Sequence, residues 1–111
     1  MSTDIIVMHA QEPTFGRGSH PAYPEGYRIV AVVTHDAPEN LTDEQLAAFA
    51  FMETNHIDTT WWENDSVTLQ EKSRSTSVGD VVSVRGRVLR CMNAGWALVE
   101  PATRRAEQEA A

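Results

Sequence analysis

Hydrophobic positions along the chain come in short bursts separated by polar or proline-rich stretches, the rhythm of several strands with one helix among them. Residues 5–9 (IIVMH) group apolar and β-branched side chains and stop before Gln11-Glu12-Pro13, which predicts a short β-strand. Residues 27–34 (YRIVAVVT) are a near-continuous apolar run suited to a central strand. Between them, residues 12–27 hold three prolines and three glycines, which block helix and ladder formation, together with Phe15, Tyr23 and Tyr27. An open segment of that length in a small domain is either functional or mobile.

The helix is well marked. Thr42 is the expected N-cap and Gln45 sits at the capping-box spacing, while Leu41 and Leu46 occupy the two positions of a hydrophobic staple. Asp43 and Glu44 fall in the first turn, where the helix dipole favours negative charge. Leu46, Phe49 and Ala50 then share a face that Phe51 and Met52 broaden, so a helix over residues 42–55 should lay a wide apolar stripe on the sheet. From 56 to 73 no period holds, and an irregular crossover with a short extended piece at 67–69 is expected. The strand pattern returns at 80–84, 87–92 and 96–100, with turns at Arg85-Gly86 and Asn93-Ala94-Gly95. The register of the first hairpin is left open, because arginine disfavours the positive φ of a two-residue turn and a longer loop competes. Residues 102–111 have helix formers but little apolar face, which suggests a frayed helix or a disordered tail after a single domain over 1–101. The fold class is therefore α+β: a small, mostly antiparallel sheet with one main helix packed on one face.

Charge changes this picture more than composition does. The net charge of −7 is unevenly spread, with eleven acidic and two basic side chains in residues 1–66 against five acidic and seven basic in 67–111. Phosphate binding by the whole surface is disfavoured, and only the second half offers a basic patch. The single cysteine, Cys91, excludes an internal disulfide and reads as a buried thiol in a reducing compartment. Asp4 stands where a signal peptide would carry a basic residue, and no stretch approaches membrane-spanning length, so a cytoplasmic protein without a membrane partner is expected.

Few residues are arranged for chemistry. His9, His20, His35 and His56 are scattered at spacings that aim no two rings at one metal, and no P-loop, paired-cysteine motif or nucleophile elbow occurs. Neither a cofactor nor a metal is expected. In residues 56–65 (HIDTTWWEND), Trp61 and Trp62 leave an extended backbone in different directions, so one should anchor the core. Either the other is exposed, and with Glu63 and Asp65 forms a protein-binding spot, or both close the core. The stretch RSTSVGDVV (74–82) sets Arg74, Ser75, Ser77 and Asp80 against the start of an apolar strand. It reads first as a loop organised by its own side chains, and alternatively as an anion pocket with Arg74 as the bidentate partner.

With the upstream segment from Asn55 to Trp62 and the closing strand that starts at Gly95-Trp96, RSTSVGDVV resembles small uncharacterised proteins of actinobacteria, their plasmids and their phages. It is also similar to YodL-like domains of other Gram-positive mobile elements, where a Ser-x-Ser-Val-x-Asp-Val-Val run follows an Asn-rich segment with proline and aromatic residues. Ile57 stands here where a proline is common, and Trp61-Trp62 where one aromatic is usual. The resemblance covers roughly residues 45–99 and implies a phage or mobile-element accessory protein, with no catalytic residue to carry over.

Three functional readings follow. The first is a non-enzymatic protein, monomer or homodimer, that binds an unidentified host protein through Trp61 or Trp62 with Glu63 and Asp65. The second is association with nucleic acid, either through a strand face bearing Arg85, Arg87 and Arg90 with Arg74, or by an acidic half that imitates DNA. The third is a small enzyme using the 12–27 loop as a lid over Asp80 and a histidine, for which a strongly perturbed histidine pKa would be a sign.

Overall fold

The computed structural model describes residues 2–12, 22–36, 39–55 and 60–99. Six strands, β1 (Thr3–Ala10), β2 (Tyr27–His35), β3 (Val67–Leu69), β4 (Val81–Val84), β5 (Arg87–Cys91) and β6 (Trp96–Val99), form one sheet in the order β3-β2-β1-β4-β5-β6. Every neighbouring pair is antiparallel, and α1 (Asp43–Glu53) packs on one face, which is the α+β arrangement that the patterning predicts. The proposed 102–111 tail and residues 13–21 of the long loop lie outside the described residues.

β1 sits at the centre because it can be buried on both sides. Ile5, Val7 and His9 alternate toward the helix and have no exposed surface, while Met8 and Ala10 are buried on the opposite face. The helix-side core joins Ile5 and Val7 to Val33, Val82, Val84, Leu46, Ala50 and Trp61. A second cluster, built on Met8, Ala10, Tyr27, Val81, Val88 and Val99, occupies the far face. The register between β1 and β2 slips at Val7/Met8, where Val30 is the extra residue of a bulge on β2.

The helix begins as its sequence dictates. Thr42 Oγ1 accepts the Gln45 N–H at 3.1 Å and the Thr42 N–H donates to Gln45 Oε1 at 2.8 Å, closing the capping box. Leu41 and Leu46 both pack in the core, as a staple should. The buried stripe is narrower than expected: Leu46, Ala47 and Ala50 are buried, but Met52 is 51% exposed. The helix lies mainly over β1, β2 and β4, and toward β6 it reaches the sheet through Phe51, whose ring meets that of Trp96.

The β4–β5 hairpin takes the shorter of the two turns that the sequence left open. Arg85 and Gly86 have φ of 49° and 81°, the mirror-image turn whose twist matches the flanking strands. The strain at Arg85 is offset by its guanidinium, which donates to Leu41 O at 3.0 Å and to Asp43 Oδ1 at 3.3 Å. Among its described residues the crossover contains a 3-10 turn at Trp61–Glu63 and then β3, the short extended piece expected at 67–69.

Candidate functional site

The densest chemistry lies where β1 ends, α1 ends and the 70–80 segment passes between them. Asp80, 1% exposed, receives a bidentate guanidinium: Arg74 Nη1 lies 2.6 Å from Oδ2 and Nη2 lies 2.9 Å from Oδ1. The Ala10 N–H donates to Oδ1 at 2.9 Å and the Ser77 N–H to Oδ2 at 2.8 Å, so both carboxylate oxygens are filled. Arg74 also donates to Ser75 O at 3.0 Å and to Ser77 Oγ at 3.1 Å. The four residues singled out from the sequence, Arg74, Ser75, Ser77 and Asp80, thus share one bonded loop. In it Arg74 is turned inward to a carboxylate of its own chain, where the pocket alternative needed it facing a ligand.

Beside this pair runs a chain of hydroxyls that the sequence did not announce. Thr54 Oγ1 donates to Ala50 O at 2.7 Å, and a carbonyl can only accept. The 2.6 Å contact between Thr54 and Thr76 is then donated by Thr76, and the 2.8 Å contact from Thr76 to His9 by the Nε2–H of the ring. His9 Nδ1 is left to accept from Ser73 Oγ, also at 2.8 Å. Every group is satisfied by a neutral imidazole carrying its proton on Nε2. Burial lowers the His9 pKa from 6.5 to about 4; Asp80, 3.9 Å away, opposes the shift, and Arg74 and Arg28 add to it.

A shifted histidine beside Asp80 is the sign that the enzyme reading asked for, and Ser73 beside His9 has nucleophile–base spacing. The geometry gives it another meaning. His9 has no exposed surface, its ring at neutral pH is a weak base, and the Asp80 carboxylate is committed to Arg74 and two backbone N–H groups. The junction works as a brace joining β1, the end of α1 and the loop. The loop is further held by the Thr76 N–H to Thr54 O at 2.9 Å and by Trp61 Nε1, 3.1 Å from both Ser73 O and Arg74 O.

The remaining sequence-derived positions divide. Trp61 has no exposed surface and is a core residue, so it offers nothing to a partner. Trp62 is partly buried, meets Trp61 edge to face at 5.2 Å and carries Lys72 Nζ 5.4 Å above its ring, while Glu63 and Asp65 are exposed. The arginines do not share a face. Arg85 and Arg87 converge on Asp43 at the helix start, at 3.3 and 3.4 Å, whereas Arg90, three residues beyond Arg87, points to the opposite face and stacks on Tyr27 at 5.9 Å. Cys91 is buried, and desolvation, with Asp80 adding to it, raises its pKa, which keeps the thiol protonated.

An open cleft lies elsewhere, at the edge where β2 runs out toward β3. A cleft of about 680 Å³ is lined by Thr34, His35, Asp36, Phe49, Glu53, Asn64, Asp65 and Ser66. His35 and Phe49 meet edge to face at 4.7 Å, and Glu53 is held in place by Ser66 Oγ, which donates to its Oε1 at 2.6 Å. Asn64 Nδ2 donates to Glu53 O at 2.8 Å, tying the cleft wall to the end of α1. Of the binding residues expected from sequence, only Asp65 lines this cleft, and Asp36, Glu53 and Phe49 were missed as members. Among the described residues, no cluster of three or more His, Cys, Asp or Glu side chains is placed to hold a metal ion.

No protein-family model, curated protein or solved structure matches this chain. Among the described residues no helix is long and apolar enough to cross a membrane.

Proposed function

We propose that this protein is a binding module that captures a basic segment of another protein in the cleft between β2, α1 and the Asn64–Ser66 turn. The observation that carries the reading is the composition of that cleft: Asp36, Glu53 and Asp65 surround a space of about 680 Å³ backed by Phe49 and His35. A lysine or arginine side chain entering it would meet carboxylates for its charge and an aromatic wall for its stem. Trp62, two residues from the cleft wall and already serving as a platform for Lys72, extends the surface. Glu63 and Asp65 keep its rim acidic. The role that fits the resemblance noted from the sequence is a non-enzymatic accessory of a phage or mobile element that acts on a host protein.

The test is capture of partners from an actinobacterial lysate with tagged protein, run beside an Asp36→Lys/Asp65→Lys variant and beside Trp62→Ala, with bound protein and nucleic acid both identified. Trp61 is left intact because it belongs to the core. The reading expects a protein with an accessible Lys/Arg segment, retained by the parent and lost by the charge-reversed variant. Equal recovery with all three baits, or recovery of nucleic acid alone, would sink it. A DNA-binding protein released by the same charge reversal would point instead to the acidic half acting as a DNA imitation.

A further inference from the structure

The sheet ends on two unlike edges. β3 is three residues long, and Glu71 and Lys72 follow it after Gln70, a short edge with charge nearby. β6 (WALV) carries no charge, no proline and no bulge within its four residues, with Glu100 and Pro101 next in the sequence, and among the described residues no strand pairs with its outer side. Its Leu98 is 59% exposed. One residue pair along, a recess of about 200 Å³ opens between the helix and the same strand, lined by Ala48, Phe51, Cys91, Met92, Gly95 and Trp96. A protruding leucine and an apolar recess on one strand are the two halves of a self-complementary contact.

We infer that two copies of this chain pair antiparallel through β6, with Ala97 of each copy on the two-fold axis and Leu98 of each seated against Trp96 of the other. The register follows from the backbone. Cys91 spends its N–H and C=O on the β4 side, donating to Asp80 O at 2.9 Å and accepting from the Gly79 N–H at 2.8 Å, while the Met92 N–H donates to Gly95 O at 3.0 Å. Antiparallel alternation then turns Ala97 and Val99 toward β5 and directs the N–H and C=O of Trp96 and Leu98 outward. Residues directly opposite must also lie on the same face of the continued sheet. Leu98 opposite Trp96 of the other copy satisfies both conditions and places Leu98 next to the Phe51–Trp96 recess, where those rings meet at 6.3 Å.

Charge favours the same partner. The acidic cleft lies by β2 and β3, at the other end of the sheet, so two copies of a chain with net charge −7 meet at uncharged strands and keep their acidic clefts apart. Pairing of two four-residue strands with one leucine exchanged in each direction buries less than about 1,200 Å², the range of weak specific contacts, so the dimer is concentration-dependent.

Sedimentation equilibrium of the full chain from about 10 μM to about 1 mM reads the mass directly. The expected result is a shift from monomer to dimer that Leu98→Lys weakens at least tenfold. Leu98 is exposed, so this variant should keep the parent's far-UV spectrum. Ala97→Cys supplies an independent reading: an opposed non-hydrogen-bonded pair has Cα atoms about 4.5 Å apart, within disulfide reach, and mild oxidation should yield a covalent dimer that the parent, with Cys91 alone, does not form. A monomer at every concentration, a dimer indifferent to Leu98→Lys, or no cross-link at position 97 would overturn the proposal.

Discussion

The junction around His9 and the cleft around Glu53 are built from the same kinds of side chain, and they differ in access and in what the polar groups are bonded to. In the junction, His9, Thr54, Thr76 and Asp80 are at most 2% exposed, and each donor and acceptor traced there meets another group of the same chain. In the cleft, Asp36 and Asp65 face solvent and Glu53 is oriented by a single hydroxyl. The lesson is that the geometry most like a catalytic constellation, a serine, a histidine and an aspartate within reach, is here the one most fully consumed by the fold. The residues to which the proposed function assigns a partner are those that the fold leaves open to solvent, Asp36 and Asp65.

That contrast can be broken most forcefully at Asp80. Asp80→Ala leaves the Ala10 and Ser77 N–H groups without this acceptor and removes the carboxylate paired with Arg74, so chemical denaturation should show a loss of about 3–5 kcal/mol. A loss below about 1 kcal/mol would show that the pair is not bracing anything.

The next largest effect is on pH. His9 titrates near 6.5 when unfolded and near 4 when folded, so between these values the unfolded chain binds more protons. Stability from this group is complete above pH 6.5 and is lost as pH falls toward 4, by up to about 3 kcal/mol. Denaturation curves across that window check it, and His9→Gln should flatten the slope. Thr54→Val breaks one link of the hydroxyl chain and should cost about 1–2 kcal/mol by the same measurement. At the other extreme, Asp65→Lys in the open cleft should shift stability by less than about 0.5 kcal/mol while removing the binding that the proposed function assigns to the cleft. A large stability loss there would mean that the cleft, too, is structural.

The sequence made the fold legible because local signals agreed with one another. Thr42 with Gln45, Leu41 with Leu46 and the apolar strands all pointed to the same elements; the capping box is closed, and Leu41 and Leu46 both pack in the helix-side core. The two turn lengths at Arg85-Gly86 could not be separated from local propensity, because the compensation for a positive φ at Arg85 comes from Leu41 and Asp43, more than forty residues away. The site was less legible for a related reason. RSTSVGDVV advertises its own hydrogen bonds, but nothing in it reveals that Asp80 also holds Ala10 or that Thr76 completes a chain to Thr54 and His9. The one available signal was the alternation Ile5, Val7, His9, which places the ring on the buried face of β1. The cleft left no local mark, since its lining comes from the end of β2, the second half of α1 and the turn before β3. The arginine face failed because Arg87 and Arg90 differ by three positions on one strand and so lie on opposite sides.

The most direct test of the sealed junction is a titration of the His9 ring by nitrogen NMR in the intact protein, which reports both the protonation midpoint and the tautomer. A sealed junction requires a neutral ring with its proton on Nε2 at pH 7 and a midpoint near pH 4. A midpoint near 6.5, or a ring that exchanges between tautomers, would contradict it, because water would then reach His9 and the Ser73, His9 and Asp80 set would be open to chemistry.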